Sequence, residues 1–162
     1  TINNCGQLNA GNTAAATGFT SADVNTGYGI VNNIATDITN AGSGGSACYS
    51  PASPSTIDMD HNLSSDTTAS GTGSLVSKTA ANQYVSTISG SEDLHLKTGA
   101  DAINAGSDLG TTPSGVEIDI DGRNRDSSGD VWDMGADEFV SAATGFQVAW
   151  ARNINTVIQV GM

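Results

Sequence analysis

Two acidic residues directly before a histidine are the first candidates for chemistry in this sequence. Asp58 and Asp60 precede His61 and are separated by a single residue. In an extended strand, side chains two residues apart share a face and lie roughly 6.5–7 Å apart. Inverting glycoside hydrolases hold their two carboxyl groups about 6.5–9.5 Å apart. Because any solvated strand face carries polar residues at this spacing, we interpret the pair as surface residues and predict no catalytic residue.

A second group of charged residues lies near the end of the chain. Arg123 and Arg125 are two of only five basic residues, and they lie among Asp119, Asp121 and Asp133. We predict that bidentate arginine–carboxylate pairs fix the surrounding loops. The alternative is an irregular calcium site, which leaves the metal assignment open. The spacing excludes an EF-hand, because the third ligand position and the final glutamate are missing.

The two cysteines, Cys5 and Cys48, leave two interpretations open. An even count is compatible with an oxidising compartment and a Cys5–Cys48 disulfide. The other interpretation makes Cys5 a buried free thiol in a strand and Cys48 a loop residue. Together with two separated histidines, the cysteines lack the spacing of a zinc site. We predict no cofactor other than the calcium considered above.

The composition limits the class of protein. With 162 residues, the chain has room for one modest domain and a small appendage. Five basic against seventeen acidic residues give a net charge of −12, which would repel nucleic acid. No apolar run approaches the ~20 residues that span a bilayer. Apolar residues recur in short clusters rather than in a helical stripe, which predicts repeated short strands.

A short phrase recurs along the first part of the chain. Its three copies are 29 residues apart, and asparagine has the same position in each copy, as Asn4, Asn33 and Asn62. The segment 57–61 alternates apolar and polar residues, which is typical of a half-buried strand. Asparagine tolerates the backbone angles of a sharp corner. The pattern predicts a solenoid in which the three asparagines form a ladder and successive strands share one apolar interior.

The last third of the chain resembles a known closing signature. The segment Leu94–Gly106 resembles "LxxGSPAIDAG", and Asp119–Arg125 with Asp133–Phe139 resembles "DIDGxPR…DIGAxEF". Both belong to right-handed parallel β-helix surface proteins of the pectate-lyase-like kind, found in bacterial exoproteins and phage structural proteins. The resemblance implies an all-β fold, a right-handed parallel β-helix on a secreted, cell-surface or virion protein. It implies little about activity.

These observations divide the chain into three parts. Residues 1–93 are predicted to form the β-helix coils, residues 94–139 an irregular closing cap, and residues 140–162 a linker and a terminal β-hairpin. Apolar residues alternate on one face of this hairpin, which predicts that it docks on a neighbour for assembly. They are Phe146, Val148, Trp150, Ile154, Ile158 and Val160.

We expect a non-catalytic structural module of an extracellular or virion surface assembly, such as a fibre, sheath or decoration. The chain opens within a coil, so upstream coils or other protein subunits are expected to stack on that edge. A flank rich in asparagine, serine and threonine is expected to bind surface glycans, while nucleic acid and a membrane span are not expected. The alternatives are a fragment of a β-helix polysaccharide lyase or glycoside hydrolase, and a stand-alone adhesin.

Overall fold

The computed structural model describes residues 2–3, 6–7, 16–21, 29–40, 45–51, 57–125 and 131–141. The described residues form short strands and one turn of helix. In chain order these are β1 (Ile2–Asn3), β2 (Gly6–Gln7), β3 (Ala16–Ser21), β4 (Gly29–Val31), β5 (Ile34–Thr36), β6 (Thr39–Asn40), β7 (Ser46–Pro51), β8 (Asp58–Asp60), β9 (Leu63–Ser64), α1 (Ala80–Gln83), β10 (Tyr84–Ser86) and β11 (Asp93–Leu96).

Each of the strands β1 to β5 pairs in parallel with the strand four places later in the chain. The order β1-β5-β9 forms a three-stranded sheet, and β2-β6, β3-β7 and β4-β8 form pairs. Each of these pairings is parallel, whereas β10 and β11 pair antiparallel. Parallel neighbours require long connections between them. Here three other strands, which belong to other sheets, lie in sequence between each strand and its parallel partner.

The register agrees with the predicted repeat in the later turns and differs in the first. Ile30 pairs with Met59 and Ile34 with Leu63, which is the predicted separation of 29 residues. Ile2, in contrast, pairs with Ala35 rather than with Val31. More residues therefore separate β1 from β5 than the alignment of the asparagines predicted. The pairing of the strands determines this register, and the position of the corner residue does not. Asn4 itself lies outside the described residues.

Two buried clusters form the interior of the described chain. In β8, Met59 is buried between exposed Asp58 and partly exposed Asp60, as the alternating pattern predicted. The first cluster is centred on strands β5, β7 and β8: Ala35, Ile38, Cys48, Tyr49, Ile57, Met59 and Ala69. Phe19 and Tyr49 are partners in the β3–β7 register and stack with their ring centroids 5.3 Å apart.

The second cluster joins the strands to the closing segment. It contains Ile34 and Leu63 together with Tyr84, Leu96 and Met134. Strand β11 crosses the predicted boundary between residues 93 and 94. Described residues on both sides of that predicted boundary thus contribute to one core. Among the described residues, no helix is long and apolar enough to cross a membrane.

Candidate functional site

The corner after β8 is built around a fully buried asparagine. The side chain of Asn62 is completely buried. Its Oδ1 accepts a hydrogen bond of 3.0 Å from the Asn33 amide, and its Nδ2 donates to the Ile30 carbonyl. At this corner the backbone leaves the regular strand path, so a side chain must supply the partners that a neighbouring strand would otherwise provide. The Asn33 side chain is used differently: Nδ2 donates to the Val31 carbonyl two residues earlier.

Asn32, in the corresponding corner between β4 and β5, connects that corner to the closing cap. Asn32 has a left-handed backbone with φ of 57°. Its Nδ2 donates to the Ser107 carbonyl at 2.6 Å, and its Oδ1 accepts from the Ser107 amide at 2.8 Å. The Asn32 carbonyl also accepts a hydrogen bond from the Gly135 amide. Three hydrogen bonds thus connect one corner residue to two separate parts of the cap.

A buried arginine organises the end of the closing signature. Arg125 is 5% exposed, and its Nη1 lies 3.1 Å from Glu138 Oε2. Its guanidinium also donates to the Gly135 carbonyl and lies 5.6 Å from the Trp132 ring centroid. Burial raises the pKa of the Glu138 carboxyl, although the Asp133 amide and Arg125 act against that shift. Arg125 therefore pairs with a carboxylate, but through Nη1 alone rather than in the predicted bidentate arrangement, and with Glu138 rather than with a predicted aspartate.

The aspartates of the signature mainly accept backbone hydrogen bonds. Asp119 Oδ1 accepts from the amides of Asp121 and Arg123, which fixes the Asp-Ile-Asp-Gly turn. Asp133 accepts from the Asn104 and Phe139 amides. Burial raises the pKa of Asp133 even though these two amides act to lower it. The carboxylates therefore replace missing strand neighbours for the loops of the cap.

The second arginine makes a predicted ion pair at the surface. Arg123 Nη1 lies 2.6 Å from Asp121 Oδ2 and 3.9 Å from Asp119 Oδ2. Half of the Arg123 side chain is exposed, so solvent weakens the pair. Asp119 Oδ2 is buried and has no hydrogen-bond partner among the described residues. Arg123 therefore lies near two carboxylates but forms a close ion pair with Asp121 alone.

His95 joins strand β11 to the same turn. Its Nδ1 lies 2.5 Å from Asp93 Oδ1, and its Nε2 lies 3.2 Å from Asp121 Oδ1. Hydrogen bonds to Asp93 and Asp121 raise the pKa of His95, and the same contact with His95 lowers the pKa of Asp93. Ligand atoms of His95, Asp121 and buried Asp137 all lie within 4.8 Å of one another. Neither His95 nor this cluster was predicted from the sequence.

A cleft lies between the corner and the cap. Its volume is about 360 Å³, and it is bordered by the corner residues 31–33 and by cap residues that include Asp119, Arg125 and Trp132. The walls are mixed, with apolar side chains from Leu109 and Val116 beside polar groups. This volume lies at the lower end of the range for small-molecule sites. The cleft is a candidate position for a small ligand with both apolar and polar faces.

The acidic pair Asp58 and Asp60 lies in β8, directly before the corner that contains His61. Asp58 is exposed, and Asp60 Oδ2 lies 3.0 Å from His61 Nδ1. The contact lacks hydrogen-bond geometry, since His61 Nδ1 and Asp60 Oδ1 have no hydrogen-bond partner in the described chain. His61 also has a left-handed backbone, with φ of 47°. These residues belong to the corner that continues to Asn62.

Cys48 lies in strand β7 and not in a loop. It is a buried free thiol, so the Cys5–Cys48 disulfide considered above is not formed. Its Sγ lies 3.4 Å from Ser65 Oγ, and its amide donates to Asp66 Oδ2. Cys5 lies outside the described residues. The predicted assembly hairpin from Phe146 to Val160 also lies outside them.

Comparisons with protein-family models, curated proteins and solved structures gave no match to this chain. The resemblance to the β-helix closing signature therefore stays a prediction from the residues.

Sequence reasoning missed several residues on which this site depends. Asn32, Glu138 and Asp137 make contacts with segments far away in the chain. Asn32 adjoins the predicted ladder residue Asn33, and the other two lie within the quoted signature. Their places in these patterns could be read from the sequence. Their hydrogen-bond partners could not, because those depend on the conformations of the loops.

Proposed function

We propose that this chain is a non-catalytic structural module, a right-handed parallel β-helix whose open end stacks against further coils or other subunits. Its expected setting is a fibre, sheath or decoration on an extracellular, cell or virion surface. The acidic, lysine-poor composition suits such a surface. The proposal is supported by a difference between the two outer edges of the parallel sheets, one formed by strands β6 to β9 and the other by strands β1 to β4.

On one side, later residues satisfy the strand edges. Leu75 forms a parallel bridge with Leu63 of β9, and the His61 amide after β8 donates to the Thr72 carbonyl. The Cys48 and Tyr49 amides of β7 donate to Asp66 Oδ2 and Thr68 Oγ1, at 2.8 and 2.9 Å. Both backbone and side chains therefore cover the outer edges of β7 and β9 and the corner after β8. Such closure prevents another strand from pairing there.

On the other side, the strands β1 to β4 each have one partner. They pair with β5, β6, β7 and β8, and no described residue pairs with their second edge. An unpaired strand edge presents amide and carbonyl groups that can pair with another strand. The open end therefore supports stacking of further coils or of another subunit. The mixed cleft beside Asn32 supports glycan contact as a secondary role.

Self-association of the purified chain tests the proposal. We expect light scattering after size-exclusion chromatography to give masses well above the 16.3 kDa of one chain. Thr20→Lys places a charge at an exposed position of edge strand β3 and should shift the mass towards the monomer. Thr111→Lys, on an exposed cap residue, is the matched control and should leave the mass unchanged.

A chain that stays monomeric at every concentration would contradict the proposal. So would equal effects of the two lysine substitutions. A monomer that cleaves a uronic-acid or neutral polysaccharide, with loss of cleavage in Asp58→Ala/Asp60→Ala, would support the enzyme alternative instead.

A further inference from the structure

We propose that His95, Asp121 and Asp137 bind one divalent transition-metal ion, with Zn²⁺ as the representative cation. This site is independent of the structural role proposed above. The ion would join strand β11 to two separate turns of the closing cap. The proposal rests on the ligand types, their distances and the groups that orient them.

The ligand atoms are close enough to share an ion. His95 Nε2 lies 3.2 Å from Asp121 Oδ1, and an oxygen of Asp137 lies within 4.8 Å of both. Two ligands at tetrahedral angles, each ~2.0–2.2 Å from zinc, are roughly 3.4 Å apart. The first pair already has this separation. The partly exposed side chains of His95 and Asp121 can move towards Asp137, which a backbone hydrogen bond holds in place.

Each proposed ligand is oriented by an outer group. Asp93 Oδ1 lies 2.5 Å from His95 Nδ1, which leaves Nε2 directed at Asp121. Arg123 holds Asp121 Oδ2, so that Oδ1 faces the histidine. A carboxylate on the far nitrogen of a metal-binding histidine is a recurrent arrangement, because it fixes the tautomer and increases ligand basicity.

A buried carboxylate provides the independent argument for a cation. Asp137 is 5% exposed, and its Oδ2 accepts a hydrogen bond from the Leu96 amide. Asp119 Oδ2 is buried and has no hydrogen-bond partner among the described residues. Arg123 Nη1 lies 3.9 Å from this oxygen and 2.6 Å from Asp121 Oδ2, so the unpaired oxygen lies close to the proposed ligands. The local carboxylates outnumber the basic groups, and a divalent cation would neutralise the excess.

The ligand set favours a transition metal over calcium. One imidazole nitrogen with two carboxylates matches the mixed nitrogen and oxygen ligands of Zn²⁺. Calcium prefers six to eight oxygen ligands, which these residues do not supply. The site therefore differs from the calcium site considered from the Asp-Ile-Asp-Gly sequence, although the two share Asp121.

Titration calorimetry with Zn²⁺ on EDTA-treated protein tests the proposal. We expect one Zn²⁺ per chain, with affinity at least ~10-fold lower in His95→Gln and in Asp121→Asn, and about 10-fold lower in the outer-group variant Asp93→Asn. His61→Gln is the matched control, because His61 also adjoins an aspartate. It should bind as the parent chain does. Asp121 is partly exposed, so its variant keeps the test valid if His95→Gln fails to fold.

Visible spectra with Co²⁺ in place of Zn²⁺ separate this site from the cysteines. We expect ligand-field bands without thiolate charge-transfer absorption. No Zn²⁺ binding, or binding unchanged in both ligand variants, would overturn the proposal. A thiolate band that disappears in Cys48→Ser would assign the metal to cysteine instead. Calcium binding that depends on Asp121 but not on His95 would establish an all-oxygen site and equally overturn it.

Discussion

Replacement of Asn62 by alanine tests the corner most sharply. The Asn62 side chain is fully buried, and it bonds to the Asn33 amide and the Ile30 carbonyl. Asn62→Ala would leave the Asn33 amide without this partner, which costs about 1–3 kcal/mol. Loss of the bond to Ile30 adds about 1 kcal/mol. We therefore expect the free energy of unfolding to fall by about 2–4 kcal/mol, or roughly 4–16 °C in Tm for a chain of this size.

Urea unfolding followed by circular dichroism measures this change, with Asn33→Ala as the matched control. The Asn33 side chain makes a local bond to Val31 at a partly exposed position, so its loss should cost only about 0.5–1.5 kcal/mol. If Asn62→Ala unfolds within about 0.5 kcal/mol of the parent, or if the two variants are equivalent, the corner does not depend on Asn62.

Three further predictions, the first with a matched control variant, concern other parts of the structure. Gly71 has φ of +90°, and a Cβ there would lie 1.4 Å from the Met59 carbonyl oxygen. Gly71→Ala should therefore lower the free energy of unfolding, measured by thermal unfolding, by more than about 3 kcal/mol. Gly90 faces open space, so the control Gly90→Ala should lower it by only about 1–2 kcal/mol. Arg125→Met should cost about 3–5 kcal/mol in urea unfolding, because it leaves a buried carboxylate unpaired; a neutral effect would show that this ion pair is dispensable. For Asp66, burial acts to raise the pKa, but hydrogen bonds from Thr68 and the Cys48 amide outweigh it and hold the pKa below its usual value. The ionised Asp66 therefore stabilises the fold above the unfolded-state pKa of about 3.9, and this stabilisation is lost as the pH falls through the lower folded-state pKa. In Asp66→Asn, the free energy of unfolding should depend less steeply on pH in acid. An unchanged slope would contradict this.

The repeat of 29 residues predicted the register of the later turns because it rests on apolar positions as well as asparagine. Ile30 and Met59 both supply interior side chains, and strand register depends on which side chains enter the interior. The first copy offered only Asn4 and its neighbours, and the β1–β5 register differs from that alignment. A corner residue alone does not fix how much chain lies between corners.

The residue types that stabilise the closing cap could be predicted from the sequence better than the partners of each residue. The sequence indicated that arginines and carboxylates would fix the loops, and Arg123 does pair with Asp121. It did not indicate that Arg125 would select Glu138 or that His95 would meet Asp121. These partners come from loops without a periodic pattern, so no local rule sets their distances. Ile120 shows the same limit, since it is an apolar residue of the quoted signature and is nevertheless 53% exposed.

The most direct test of the proposed β-helix is an engineered disulfide between the paired strands β4 and β8 of one chain. Gly29 and Asp58 are exposed partners in the β4–β8 register. Neighbouring strands lie about 4.8 Å apart, within the range that a disulfide spans, whereas position 60 lies roughly 8 Å from position 29. Peptide mapping after oxidation should find the bridge in Gly29→Cys/Asp58→Cys and not in Gly29→Cys/Asp60→Cys. A bridge that forms only in the second variant, or in neither, would contradict the stacked register.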